Sequence, residues 1–216
     1  MAGGTALRRA EIGQERREKT RQKLIAAAAR VIAANGDKTA TIDDFIRAAG
    51  VARGTFYNYF PTRENLLDAL WTQVGKDPFL EIGKACASIS DPAERLIAKA
   101  WRILIRSGED QAWGWLIFAL SGNAETVNSD LRAYPAPDLK AGLSAGRLHY
   151  VHLDSARDFV VGAVRAGMKT QLSGRGSSEY AHDICKMILL ALAVPTEGAD
   201  RIMGSATRTG VGVASA

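Results

Sequence analysis

The chain has 216 residues, 47% of them hydrophobic and 24% charged, with a formal net charge of +5. That is enough apolar material for a real core, and it excludes a disordered or fibrous chain. The positive excess lies at one end: residues 1–63 hold twelve Lys/Arg against six Asp/Glu, while residues 64–216 hold sixteen against seventeen, a distribution that suits a basic module for a polyanion on a near-neutral body.

Two cysteines, Cys86 and Cys185, lack a C-x-x-C partner, and no apolar run follows the basic Arg8 and Arg9. Reduced thiols in a cytoplasmic protein are therefore expected. The longest apolar stretches, 113–120 and 187–194, fall short of the ~20 residues a membrane span needs, so no membrane partner is expected.

Residues 1–15 are Gly- and Ala-rich, charged and aperiodic, and read as a mobile basic arm. From Arg16 the pattern turns helical, with Leu24, Ala27, Ala28, Val31 and Ile32 at i, i+3, i+4, i+7 and i+8. Asn35-Gly36 stops this helix. Thr41 reads as the N-cap of a second helix, with Asp43 and Asp44 in its first turn and Ile42, Phe45, Ile46 and Ala49 on its apolar face. Gly50 breaks it, and a short helix follows from about Ala52 to Tyr59. Pro61 ends that one, and Thr62 caps a helix with Leu66, Leu67, Leu70 and Trp71 inward that fades near Gly75.

Another segment starts near Pro78 and reaches about Ile89. Asp91-Pro92 opens the next helix, which buries Leu96, Ile97, Ala100, Trp101, Leu104 and Ile105 and ends at Ser107-Gly108. Residues 113–120 are apolar all round, as in a central buried helix. The stretch 121–150 is broken by Pro135 and Pro137. Asp154 caps a long helix to about Leu172, a further helix runs from about Glu179 to Val194, and a short one follows to about Met203. The fold class is all-α: a three-helix head over 16–62, a helical body over 63–204, and a disordered tail over 205–216.

The informative stretch is 41–60: a helix, a tight break at Gly50, and a second short helix. This is the plan of a helix-turn-helix. It requires a small residue where the helices touch (Ala48 or Ala49), a glycine at the turn and an apolar residue after it, here Val51. The second helix must present polar side chains to the major groove. Residues 50–63, GVARGTFYNYFPTR, are similar to the recognition segment G-V-x-x-x-T-h-Y-x-[YHW]-F of the TetR family of transcriptional regulators. The match extends over about residues 16–72.

The resemblance implies a cytoplasmic homodimer on a palindromic double-stranded DNA operator, with repression relieved by a small-molecule effector. By position it gives Thr41 and Thr55 to phosphates, places the hydroxyls of Tyr57 and Tyr59 on the backbone, and pairs Arg63 with a phosphate. Arg53, Gly54 and Asn58 face the bases, where Arg can fork onto guanine and Asn can pair with adenine, while Gly54 permits close approach. Phe56 and Phe60 belong to the core. C-terminal helix pairs form the dimer in the family. The apolar faces here are Val160, Val161, Val164 and Met168 on one helix and Ile184, Ile188, Leu189 and Leu192 on the next, with Gly162, Ala163, Ala166 and Gly167 allowing close approach.

The aromatic residues Trp101, Trp113, Trp115 and Phe118, joined by Tyr134, are the candidate lining of a ligand pocket in the body. Little in the region reads as both charged and buried, so the effector is expected to be small and mainly apolar. No enzyme activity, cofactor or metal is expected. Gly142-Leu143-Ser144-Ala145-Gly146 matches the G-x-S-x-G of serine hydrolases, with His149, His152 and Asp154 behind it, but a nucleophile elbow needs a buried strand before the serine, and 137–141 does not read as one. His149 and His152 lack further metal ligands at suitable spacing. A helical dimer without DNA binding is the remaining alternative, and the intact Thr55, Tyr57, Tyr59 and Arg63 argue against it.

Overall fold

The computed structural model describes residues 3–35, 40–121 and 125–210. Among these residues every regular element is a helix: α1 (Gly3–Asn35), α2 (Ile42–Ala49), α3 (Arg53–Tyr57), α4 (Arg63–Leu70), α5 (Lys76–Ala85), α6 (Pro92–Glu109), α7 (Gln111–Leu120), α8 (Glu125–Ala133), α9 (Ala136–Ser144), α10 (Leu153–Leu172), α11 (Ser178–Ala191) and α12 (Thr196–Gly210). The all-α expectation holds, and none of these helices is long and apolar enough to cross a membrane.

Two terminal expectations are overturned. The stretch read as an aperiodic arm is the first part of α1, which is helical from Gly3. Ala, Arg, Glu and Gln between positions 6 and 16 are strong helix formers, and their propensity needs no apolar periodicity to act. Likewise the tail expected from residue 205 is helical to Gly210, because Ile202, Met203 and Ala206 are buried against the body. The expected stop at Gly36 and the tail beyond 210 lie outside the described residues.

In the head, Leu24, Ile25, Ala27, Ala28 and Ile32 of α1 are buried with Phe45, Ala49, Phe56, Phe60, Leu66, Leu67 and Leu70. Helix α2 begins with a capping box: the Thr41 hydroxyl accepts from the Asp44 amide and the Asp44 carboxylate accepts from the Thr41 amide. It ends at Gly50, whose φ of 57° places it in the left-handed region, where a glycine adds no steric cost. Ala49 is the buried small residue at the α2–α3 contact, and Ala48 is exposed.

Helix α4 does not fade at Gly75. It passes through a π-helical turn at Trp71–Gly75 straight into α5, with Pro78 buried near the start of α5. Proline cannot donate an intrahelical hydrogen bond, and the wider turn lies just ahead of it. In the body α6 is the central helix, touching α5, α7, α9, α10, α11 and α12. It starts where Asp91 accepts from the amides of Ala93 and Glu94. It runs through Ser107 and Gly108 to Glu109 rather than stopping there, and the buried Ser107 hydroxyl is satisfied by donating back to the Leu104 carbonyl. Helix α7 is buried along most of its length and crosses α6 closely. A Cβ on Gly114 would lie 2.8 Å from the Ser107 carbonyl oxygen and 2.7 Å from Leu172 Cδ2.

Candidate nucleic-acid interface and body cavity

Helix α3 buries Phe56, packed edge-on against Tyr57 and tilted against Phe60. That one-sided anchoring leaves Arg53, Gly54, Tyr57 and Asn58 exposed, with Thr55 and Tyr59 partly so. Six of the eight expected DNA-facing residues therefore share one outward surface. Nothing lies within 4 Å of a Cβ built on Gly54, so a larger side chain would fit there in the free protein. Arg53 donates to Asp43 on α2 at 2.9 Å. The Tyr57 hydroxyl first, and Asp43 second, hold the Arg53 guanidinium above its ordinary pKa.

The other two sit differently. The Thr41 hydroxyl donates to Asp44 at 2.6 Å while accepting from the Asp44 amide, so its one proton is spent on the cap and none remains for a phosphate. Asp44 is in turn held below the usual carboxylate range, first by the Thr41 hydroxyl. Arg63 donates Nε to the Ala40 carbonyl at 2.9 Å, bracing the chain just ahead of α2. That bond uses one of the five N–H donors of a guanidinium, and burial lowers the Arg63 pKa.

Sequence reasoning missed the contribution of α1. Gly13, Arg16, Arg17 and Thr20 form a polar groove with Thr55, Asn58 and Tyr59 of the recognition segment. Arg17 lies 5.8 Å from the centre of the Tyr59 ring and Arg21 5.6 Å from that of Phe60. In the sequence these arginines are simply the charged face of an amphipathic helix. Only the helical course of α1 brings them beside the recognition segment.

The body holds a cavity of about 60 Å3 between α5, α6, α7, α8 and α10. Of the five expected pocket residues only Tyr134 lines it. Trp113 packs behind Phe79, with ring centres 5.6 Å apart. Trp115 packs edge-on against Phe118, and Phe118 lies under the Arg165 guanidinium at 4.1 Å. Trp101 is partly buried against the core. The walls come instead from Phe79, Leu96, Ile103 and Ile117, and from the very face of α10 expected to dimerise, Val160, Val161, Val164 and Met168.

That face is thus the protomer's own interior. Val160, Met168, Ile188, Leu189 and Leu192 are all buried within one chain, and side chains without exposed surface cannot meet a partner. Ile184 and Val164 are partly buried against the same core. The outward large apolar side chains of α10 and α11 are Phe159, Met187 and Leu190, respectively 45%, 62% and 41% exposed. Gly162 and Ala166 are exposed on the same helix as Phe159.

A buried charge is the other feature that sequence reasoning missed. Asp138 is 1% exposed, and it accepts from Arg95 at 2.6 Å and from Lys99 at 2.7 Å. The G-x-S-x-G stretch is the end of helix α9. Gly146 is left-handed at φ 63°, the amides of Arg147 and Leu148 return to the Gly142 carbonyl, and a Cβ on Gly142 would lie 2.5 Å from Leu148 Cδ1. Both outer glycines serve helix termination and packing, and Ser144, His149 and His152 are exposed.

A helix-turn-helix head with a basic flank, set on a helical body with an apolar cavity, is the architecture of a DNA-binding regulator. Residues 24–70 match the model for bacterial regulatory proteins of the tetR family, and residues 91–204, more than half of the chain, match that for the tetracyclin repressor-like C-terminal domain. The chain belongs to the TetR family of transcriptional regulators.

Among its relatives is the HTH-type transcriptional repressor LfrR of Mycolicibacterium smegmatis, 34% identical over 94 residues that make up 44% of this chain and 46% of that one. The match thus spans about half the length of that curated relative. The solved structure of RolR in complex with resorcinol is 28% identical, with a TM-score of 0.65 over 88% of this chain and 95% of that one. FadR from Bacillus subtilis, solved with stearoyl-CoA, shares the fold at 17% identity and a TM-score of 0.58, over 78% of this chain and 97% of that one.

Proposed function

We propose that the chain is a cytoplasmic, dimeric repressor that occupies a palindromic operator and leaves it when a small, mainly apolar compound enters the body cavity. The observation that carries the DNA-binding part is the outward polar surface of Arg53, Thr55, Tyr57, Asn58 and Tyr59, bordered by Arg16 and Arg17. Arg53 and Asn58 would read base edges. Thr55, Tyr57, Tyr59, Arg63 and the α1 arginines would fix the head on the backbone. The repressor sense is supported by the likeness to LfrR, and the ligand response by the resorcinol complex of RolR.

Dimerisation would use Phe159, Met187 and Leu190 rather than the buried faces of the same helices. Exposed large apolar side chains near small residues suit close helix packing, and two heads would then meet half-sites about one helical turn (~34–36 Å), or a multiple of it, apart. Gel shift with the intergenic DNA beside the chain's own gene tests the reading. Arg53→Ala and Asn58→Ala should change sequence preference, whereas Tyr57→Phe and Arg63→Ala should weaken all sites alike. If all four leave binding intact, the interface is misplaced. A monomeric mass at micromolar concentration would sink the dimer.

A further inference from the structure

Two cationic side chains line the cavity, Lys99 and Arg165. Lys99 Nζ sits 2.7 Å from Asp138, which also accepts from Arg95, and 5.3 Å from the centre of the Tyr134 ring. Arg165 has no carboxylate within ion-pair distance among the described residues. Its Nε donates to the Ser121 hydroxyl oxygen at 2.8 Å, one terminal nitrogen reaches the Phe118 carbonyl at 3.4 Å, and the guanidinium plane rests on the Phe118 ring. The Ser121 hydroxyl proton goes to the same Phe118 carbonyl at 2.9 Å.

A guanidinium has five N–H donors in a planar fork. Two are used here on neutral acceptors, and Arg165 lines the cavity. Desolvation works against this charge, lowering the Arg165 pKa. A partly buried guanidinium whose acceptors among the described residues are both neutral is placed to take an anion brought by a ligand.

The geometry points to a small hydrophobic carboxylic acid as the ligand class: the carboxylate pairs with Arg165 beside Ser121, and the apolar body lies against Phe79, Ile103, Val160 and Met168. This rests on the reading of the cavity as the effector site. It sharpens the expectation of a mainly apolar effector by adding one acidic group at a defined end. Size is limited as well. At about 60 Å3, on a scale where one water takes roughly 10–15 Å3, the space holds about four to six waters, or roughly 120–180 Å3 of liquid, which is the bulk of one substituted ring. The acid must be ionised at the pH of the cell to use the fork, and Arg165 is assigned as its partner because Lys99 is already held 2.7 Å from Asp138.

The test is isothermal titration of the full-length protein with 4-methylbenzoate, its neutral methyl ester and 4-methylbenzamide. The acid should bind about tenfold or more tightly than either neutral isostere, the scale of a charge-assisted hydrogen bond. Arg165→Gln should remove that preference and leave ester binding within about twofold. If Arg165→Gln does not fold, the wild-type comparison of acid with ester and amide decides alone. Equal binding of the three, a preference for the ester, or binding of none overturns the carboxylate assignment. Gel shift separates this from the effector reading: an acid that binds through Arg165 but leaves the protein on DNA upholds the ligand class and refutes release.

Discussion

Replacing Arg16 and Arg17 together by alanine tests the α1 flank of the interface in a quantity the structure fixes. Both are exposed on a groove shared with Thr55, Asn58 and Tyr59, so each is placed to take one backbone phosphate. Removing one arginine–phosphate pair reduces the slope of log K against log salt by about 0.9. Two arginines per head therefore predict a decrease of about 1.8 for one head and roughly 3.6 for a two-headed complex, with the sequence preference unchanged. Alanine is the better helix former, so α1 should not melt. Fluorescence anisotropy with labelled operator DNA, at several salt concentrations, reads the slope. Arg175→Ala with Arg201→Ala, both exposed on the body, removes the same net charge far along the chain and should leave the slope in place. A decrease of less than one unit in the α1 variant, or an equal decrease in the control, would refute the placement.

Gly114→Ala should destabilise the protein by about 1–2 kcal/mol, since overpacking against the Ser107 backbone outweighs the roughly 1 kcal/mol of helix propensity gained. Gly204→Ala, with nothing within 4 Å of the added carbon, should instead gain up to about 1 kcal/mol, and urea unfolding compares the two. Asp130 accepts from the Trp71 indole at 2.9 Å and pairs with Lys76 at 3.2 Å, and the indole donor first holds its pKa below the usual value. A depressed carboxylate stabilises the fold above about pH 4 and loses that contribution as pH falls through its native value. Because Asp130 is partly exposed, Asp130→Asn should cost below about 1 kcal/mol at pH 7, and the difference from wild type should shrink as pH falls below about 4 in denaturation curves taken along the acid range. Burial raises the pKa of Cys86 and pushes that of Cys185 up to about 12, so a thiol reagent at about pH 8 should label neither residue in the native protein and both in denaturant.

The head is legible in the sequence because its signals are local. Thr41, Asp44 and Gly50 announce the ends of α2 within a short span, and the apolar spacing of α1 points its buried face correctly. The placement of Arg16 and Arg17 beside the recognition segment is hidden because neighbourhood to α3 is a tertiary fact. The body fails for a related reason. Helix α10 carries two apolar faces, Val160/Val164/Met168 and Phe159 with Gly162 and Ala166, and periodicity reports both without saying which one the chain itself covers. Asp138 is invisible as a buried charge because Arg95 and Lys99 lie 43 and 39 positions away in sequence. The tryptophans draw attention by size, yet most of the cavity wall is aliphatic.

Helix α1 spans 33 residues, about 50 Å at 1.5 Å per residue, and touches α2 and α4 of the head as well as α7 of the body. The two parts are therefore not separable cassettes. A chimera cut at residue 62 would leave α7 facing a foreign α1 and would join two surfaces never fitted to each other. Grafting a new operator preference onto this body calls for exchanging only the outward residues of α3 and the arginines beside it, with the shared strut kept whole.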